Sequence, residues 1–196
     1  MLVDFKEKTI SERYHLMSSV IVPRPIAWIA TEGEVSNIAP FSYFMALSSD
    51  PATVIVAIGH RADGSPKDTL RNLRESKKCA ICVVDENHFE DMHFSSKGLE
   101  ANESELDIFD ISTQKILEEY PAVPTGIKAV LFGEYLQEVD LKGSKTIPVI
   151  IEIKQLYVDE SIVTDPAKIK IEIDTIARMG NSYRILGDML DAPKIK

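Results

Sequence analysis

Short apolar runs rich in β-branched residues recur along this chain and constrain its fold more than any other feature. They occupy residues 54–58, 79–84, 129–139, 147–158 and 169–173, the last in strict alternation with charged residues. Runs of this length and composition are typical of strands, and few helical segments separate them. Five or six strands with so few helices predict a mainly β fold, an antiparallel barrel with helices at its rim, and argue against a parallel doubly wound sheet.

An earlier pair of apolar runs lies near the N-terminus. Residues 19–22 and 26–30 are separated by Pro23 and Pro25. Because proline cannot donate to a strand ladder, this pattern predicts a strand that enters the sheet through an edge or a bulge. The sequence Glu32-Gly33-Glu34 then predicts a turn.

A helix is predicted between the strands at 54–58 and 79–84. Ser65 has the position of an N-cap, Pro66 that of the first helical residue, and Asp68 follows three residues after the cap. Lys67 would then lie in the first turn, where a cation opposes the helix macrodipole unless an anion is bound. Lys67, the Thr69 hydroxyl and the free N–H groups of this turn could hold a phosphate, although an exposed lysine explains the same pattern.

The segment 85–125 is polar and interrupts the series of strands. Residues 86–92 and 112–119 are short helical candidates, and Pro121 and Pro124 close the segment. We interpret it as a helical and acidic insertion over the sheet, within a single domain that comprises residues 1–196.

Charge and composition exclude several classes of function. The formal net charge of −9 opposes binding to nucleic-acid phosphates, and no apolar run is long enough to span a bilayer. Cys79 and Cys82 lie in a predicted strand that places them on opposite faces, so they are expected to be core cysteines of a cytoplasmic protein rather than a redox pair. His88 and His93 are expected to be a surface pair, and we predict no metal site.

Established catalytic signatures are also missing from the sequence. It contains no glycine-rich dinucleotide fingerprint, no P-loop and no nucleophile elbow. No catalytic side chain is therefore predicted.

Several short motifs follow one another in a specific order. They occupy residues 23–31, 37–44, 49–51, 67–72 and 178–183, and Gly187-Asp188 follows the last of them. This succession resembles the flavin reductase-like family of FMN-binding split barrels, which includes flavoredoxins and the reductase components of two-component monooxygenases. The resemblance runs from about residue 16 to residue 188.

The resemblance implies a fold and a set of cofactor contacts. The fold would be a split six-stranded antiparallel β-barrel, usually homodimeric, with FMN near the dimer interface. The isoalloxazine and ribityl groups would be lined by Thr31, Asn37, Ala39, Pro40, Phe41 and Ser42. The phosphate would be held by Lys67, Asp68 and Thr69, with Arg24 or Ser48 assisting. Met179 and Tyr183 would approach the flavin from the other side, and Trp28 is either a further flavin contact or a core aromatic.

Two functions of different classes agree with this resemblance. The first is an NAD(P)H-dependent flavin reductase that accepts hydride at flavin N5 and passes electrons to free flavin, oxygen or a partner such as a monooxygenase. The alternative is a non-enzymatic electron carrier of the flavoredoxin type. A barrel that stores or senses a small ligand is the third hypothesis.

Overall fold

The computed structural model describes residues 1–187, and a large antiparallel sheet dominates this part of the chain. The α-helices are α1 Ile10–Val20, α2 Asp68–Ser76, α3 Phe89–Phe94 and α4 Glu105–Ile108. The 3-10 turns are Phe5–Glu7, Glu86–His88, Glu160–Ile162 and Pro166–Lys168. The strands are β1 Ala27–Thr31, β2 Asn37–Phe41, β3 Phe44–Ser49, β4 Ala52–Gly59, β5 Lys78–Val83, β6 Thr113–Gln114, β7 Val123–Pro124, β8 Ala129–Glu138, β9 Thr146–Val158, β10 Val163–Asp165, β11 Lys170–Ile171, β12 Ile176–Met179 and β13 Ser182–Ile185.

The main sheet has seven strands in the order β2-β1-β5-β8-β9-β4-β3. All of its pairings are antiparallel, and the sheet curls into a half-barrel. The predicted mainly β, antiparallel architecture is therefore confirmed, with one more strand in the sheet than the six that the resemblance implies. The strands predicted at 54–58, 79–84, 129–139 and 147–158 correspond to β4, β5, β8 and β9.

Each face of the sheet carries its own hydrophobic core. On one face, Leu70 and Leu73 of α2 pack with residues of β1, β4, β5 and β9. On the other face, Trp28 packs with residues of the segment 85–125, among them Met92 and Tyr120. The side chains of a strand alternate between the two cores because they point to opposite faces.

Cys79 and Cys82 show this alternation. Cys79 belongs to the core beneath α2 and Cys82 to the opposite core, as predicted, and both are free thiols. Burial raises the pKa of Cys79 to about 12 and also raises the pKa of Cys82. Both side chains are therefore neutral at physiological pH and serve as small core residues.

The prediction of a strand at residues 19–22 is wrong. Ser19 and Val20 are the last residues of α1, which a capping box begins: Glu12 N donates to Thr9 Oγ1 at 3.2 Å, and Thr9 N donates to the Glu12 carboxylate at 2.8 Å. The capping box satisfies N–H groups at the start of the helix that would otherwise lack a partner. This stabilisation outweighs the strand preference of Val20 and Ile21 at the other end of α1. The first strand begins only at Ala27, after both prolines.

The start of α2 also differs from the prediction. Lys67, rather than Ser65, is the N-cap, and α2 begins at Asp68. Pro66 instead forms an isolated bridge with His60, while Arg61 N donates to Ser65 O at 2.8 Å. These backbone bonds hold residues 65–66 in an extended conformation, which delays the helix by two positions.

The remaining differences concern weakly patterned segments. Residues 86–92 are helical as predicted, but residues 112–119 are not, because Thr113 and Gln114 pair with the strand β7. Only Lys170–Ile171 forms a strand in the alternating segment 169–173, since Ile169 ends the preceding turn with a φ of 54°. Within the described residues, no helix has the length and apolar character needed to cross a bilayer.

Candidate functional site

Two adjoining cavities form a groove along β2. The first has a volume of about 90 Å³ and lies where β2 meets the start of α2. The second has a volume of about 230 Å³ and extends toward the hairpin of β12 and β13. Pro40, Lys67 and Ser96 line both cavities, so the two are parts of one groove.

The first cavity is lined mainly by polar and charged side chains. Its cationic residues are Arg61, Lys67 and Lys97, and its carboxylates are Asp68 and Glu105. Arg61 is already engaged, because it pairs with Asp68 and donates to Leu99 O at 2.8 Å. Lys67 and Lys97 make no ion pair within residues 1–187. These two lysines can therefore meet an anion without first losing a partner.

The start of α2 adds N–H donors to this cavity. Lys67 is the N-cap and makes no side-chain capping bond. The first N–H groups of a helix have no partner inside it, and the helix dipole is positive at this end. An anionic group in the first cavity can accept these hydrogen bonds.

Three buried polar residues join α2, β2 and α4 at the floor of the first cavity. The Thr69 hydroxyl donates to Asn37 Oδ1 at 2.6 Å, and Asn37 Nδ2 donates to Glu105 Oε2 at 2.8 Å. Ile38 N donates to the same carboxylate oxygen at 3.2 Å. Desolvation by burial raises the pKa of Glu105, and the charge of Asp68 acts in the same direction. The set fixes the position of β2 against the helix start.

The second cavity is more aromatic. Phe41 and Ser42 form one side of it, and Arg178 and Tyr183 come from the hairpin of β12 and β13. The Arg178 guanidinium lies 4.5 Å from the centroid of the Tyr183 ring. The Tyr183 hydroxyl is hydrogen-bonded to Nδ1 of His93 at 3.0 Å. Aromatic faces and a fixed cation are suited to contact a planar aromatic ring.

The groove brings together most of the residues that the family resemblance indicates. These are Asn37, Ala39, Pro40, Phe41, Ser42, Lys67, Asp68, Thr69 and Tyr183. Asn37 and Thr69 are almost completely buried, so they reach the groove as its floor rather than as exposed groups.

Trp28, Thr31 and Ser48 do not line either cavity. Trp28 has no exposed surface, and its indole N–H donates to Ser95 Oγ at 2.9 Å. The Thr31 hydroxyl is buried and accepts a hydrogen bond from Asn72. Ser48 caps the turn between β3 and β4, where it accepts from Asp50 N at 3.1 Å.

Arg24 and Met179 have structural positions beside the groove. Arg24 is buried, and its guanidinium donates to the carbonyl oxygens of Ser18 and Ile21 at the end of α1. Its backbone forms a bridge with Arg178: Arg178 N donates to Arg24 O at 2.9 Å, and Arg24 N donates to Arg178 O at 3.2 Å. Met179 is half-buried at the tip of the same hairpin and lines neither cavity.

The structure adds groove residues that sequence reasoning missed. Among them are Arg61, Met92, Ser96, Lys97, Glu105 and Arg178. Arg178 lies within a motif that was recognised. The others have no local signal, because they reach the groove through contacts between segments that are distant in the chain.

His88 and His93 are not the surface pair that the sequence predicts. His88 is buried, with Nδ1 at 2.6 Å from Asp85 Oδ1 and Nε2 at 3.1 Å from Thr125 O. His93 is exposed and contacts Tyr183 instead. The 3-10 turn Glu86–His88 precedes α3 and directs the first histidine inward. Within residues 1–187, no group of three or more histidine, cysteine, aspartate or glutamate residues could hold a metal ion.

The chemistry of the groove fits FMN. Lys67, Lys97 and the unbonded N–H groups of α2 suit a phosphate. The second cavity suits an aromatic ring system and its polar edge, because it is lined by Pro40, Phe41, Arg178 and Tyr183.

Comparisons with known proteins identify the family and the fold of this chain. Residues 17–168 match the profile of the flavin reductase like domain. An uncharacterized protein of Halalkalibacterium halodurans is 35% identical over 116 residues, which are 58% of this chain and 54% of that relative. This chain thus aligns with about half the length of that relative.

Solved structures resemble the fold over nearly its whole length. Nitrilotriacetate monooxygenase component B from Bacillus cereus superposes with a TM-score of 0.90 at 23% identity, covering 98% of both chains. The 2-nitrobenzoate 2-nitroreductase of Pseudomonas fluorescens superposes with a TM-score of 0.89 at 21% identity, covering 100% of this chain and 96% of the other. At these identities the likeness concerns the fold.

Proposed function

This chain belongs to the family of flavin reductase-like domains, and from that premise we propose that it is an NAD(P)H-dependent flavin oxidoreductase that binds FMN in the groove. The observation that carries the proposal is one groove that combines cations and helix N–H donors with aromatic side chains. The start of α2 lies at the first cavity, Lys67 borders both cavities, and Phe41 and Tyr183 line the second together with Arg178. A phosphorylated flavin has the same two chemistries in one molecule.

The residues of the chain would bind and orient the cofactor. Lys67 and the first-turn N–H groups would hold the phosphate, and the backbone of β2 would face the ring and ribityl chain. Arg178 and Tyr183 would limit the space on the opposite side, where a nicotinamide must approach. When bound, FMN supplies hydride acceptance and electron transfer, so the protein contributes position and electrostatics rather than an acid or base.

The proposal is tested by spectroscopy on the purified protein. We expect FMN to bind with a change in its absorption or fluorescence, and the bound flavin to bleach when mixed with NADH or NADPH in a stopped-flow instrument. Riboflavin, which lacks the phosphate, is the matched ligand control. A protein that binds no FMN, or whose bound FMN is not reduced by either nucleotide, would contradict the enzymatic proposal.

An electron carrier of the flavoredoxin type is the second candidate. The formal net charge of −9 favours it, because an acidic surface can steer a basic redox partner. Slow reduction by both nicotinamide nucleotides, together with rapid reduction by a reduced ferredoxin, would select this candidate. The cytoplasm is the proposed compartment for either candidate, and the two free cysteines support it.

We further propose that the protein is a homodimer, which an exposed apolar surface supports. Ile10 and Val20 of α1 are 83% and 78% exposed, and Met45 and Leu47 of the edge strand β3 are 60% and 48% exposed. The Tyr14 ring of α1 stacks on the ring of Tyr43, just before β3, with a centroid distance of 5.9 Å. The helix and the strand therefore adjoin, and exposed apolar patches of this kind often mark interfaces.

Leu47→Asp is expected to shift the protein to the monomer. A carboxylate buried in an apolar interface without a partner costs several kcal/mol, so the dimer dissociation constant should rise by at least about 100-fold. Analytical ultracentrifugation measures this change. Leu141→Asp is the matched control, because Leu141 is an exposed leucine in the turn between β8 and β9. This substitution should leave the dimer intact. A wild-type protein that sediments as a monomer would contradict the dimer proposal.

A further inference from the structure

We propose that Glu105 is a positioning residue of the groove whose protonation is coupled to binding of the FMN phosphate. The inference rests on the proposed function, because it takes the groove as the FMN site. Glu105 lies on α4, and only 5% of its surface is exposed. A buried carboxylate is an unusual lining for a cavity that also contains lysines suited to an anion.

The charges around Glu105 set the sign of the coupling. Asp68 and Lys67 face the cavity from the start of α2, Arg61 from the segment after β4, and Lys97 from the segment after α3. On β2, the neighbouring groups are the uncharged Asn37 amide and the Ile38 N–H. Desolvation by burial raises the pKa of Glu105, the hydrogen bonds from Ile38 N and Asn37 oppose this rise without cancelling it, and the charge of Asp68 adds a smaller increase. A phosphate dianion in the same cavity adds repulsion to the ionised carboxylate, so phosphate binding favours uptake of a proton at Glu105.

Ionised Glu105 also fixes the direction of two hydrogen bonds. A carboxylate only accepts, so the Asn37 amide must direct Nδ2 toward it and Oδ1 toward Thr69. The Thr69 hydroxyl then donates its hydrogen to Asn37, at 2.6 Å, and cannot donate it to a ligand.

A neutral Glu105 can reverse this direction. It can donate to Asn37 Oδ1, and the turned amide can donate to the Thr69 oxygen. The hydroxyl hydrogen of Thr69 is then free at the floor of the first cavity, which Thr69 lines. Protonation thus acts on the phosphate end of the groove both through charge and through the Thr69 hydroxyl.

The test compares Glu105→Gln with the wild-type protein. Glutamine is nearly isosteric, carries no charge and provides an amide donor, so it mimics neutral Glu105. Dissociation constants for FMN and riboflavin are measured by flavin fluorescence between about pH 5 and pH 8. The FMN phosphate itself titrates at about pH 6. The same ligand is used with both proteins, so this titration does not contribute to the difference between them.

Wild-type protein is expected to lose FMN affinity, relative to Glu105→Gln, as the pH rises through the pKa of Glu105. At the alkaline end, Glu105→Gln should bind FMN about tenfold more tightly than wild type, and this difference should shrink as the pH falls. Riboflavin should bind both proteins equally at every pH. Glu118→Gln removes the same charge from an exposed side chain and should keep the wild-type pH dependence.

The outcomes distinguish failure of the Glu105 inference from failure of the proposed function. FMN binding with the same pH dependence in wild type and Glu105→Gln would overturn the role of Glu105 alone. No FMN binding by wild type at any pH would overturn the proposed function and this inference with it. Circular dichroism checks the fold of the variant. If the variant does not fold, infrared difference spectra of wild type across the same pH series decide: a new carboxylic acid band on FMN addition at an intermediate pH supports the inference, and its absence at every pH overturns it.

Discussion

Trp28→Ala is expected to lower the free energy of unfolding by about 3–5 kcal/mol. Trp28 has no exposed surface and belongs to the core that the segment 85–125 builds on one face of the sheet. The substitution leaves a large cavity, because neighbours on β5 and β8 are held by the strand ladders and cannot collapse into it. It also removes the donor to Ser95 Oγ. Urea unfolding followed by circular dichroism measures the loss.

Trp28→Phe separates stability from cofactor binding. Phenylalanine keeps an aromatic ring but removes the indole N–H, so we expect a smaller loss of about 1–3 kcal/mol. Because Trp28 does not line the groove, the folded variant should bind FMN with wild-type affinity. A large loss of FMN affinity in a variant of nearly wild-type stability would place the indole at the cofactor and contradict this assignment.

Lys67→Ala is expected to weaken FMN binding by about 10–100-fold, the value of one charge-assisted hydrogen bond to a phosphate. Lys67 borders both cavities and makes no ion pair within the described part of the chain, so its loss leaves no buried partner unsatisfied. Its Nζ lies 5.7 Å from the centroid of the Phe41 ring, which places the charge between the two ends of the groove. Fluorescence titration with FMN measures the change.

Riboflavin, which lacks the phosphate, is the control ligand for Lys67→Ala. Riboflavin affinity should change little in Lys67→Ala, because the lost contact is to the phosphate. Lys142→Ala removes an exposed lysine from the turn between β8 and β9 and should leave FMN affinity unchanged. Equal losses for FMN and riboflavin would show that Lys67 supports the ring or the fold instead.

Strands were predictable from the sequence where their side chains alternate between the two faces of the sheet with a period of two residues. In β5, Cys79 and Ile81 enter one core while Ala80 and Cys82 enter the other, which the apolar composition of the run implies. The start of α2 was displaced by two residues, so Lys67 is its N-cap rather than a residue of its first turn. The helix α1 was missed because its capping box precedes a segment whose last residues favour strands.

The far walls of the groove could not be predicted because long-range contacts form them. Asn37 meets Glu105 across 68 positions of sequence, and Tyr183 meets His93 across 90. Nothing in the polar segment 85–125 distinguishes Glu105 from the acidic residues around it. For Trp28, the motif left open a cofactor contact or a core position, and the strand directs the indole into the core.

The backbone bridge between Arg24 and Arg178 has a consequence for synthesis of the protein. It holds the hairpin that carries Tyr183 against a segment made more than a hundred residues earlier. The residues of β2 and α2 are synthesised long before those of that hairpin. A chain that has not yet reached β12 therefore lacks the wall of the groove that Arg178 and Tyr183 form, and the groove can be completed only after both strands of this hairpin have been made.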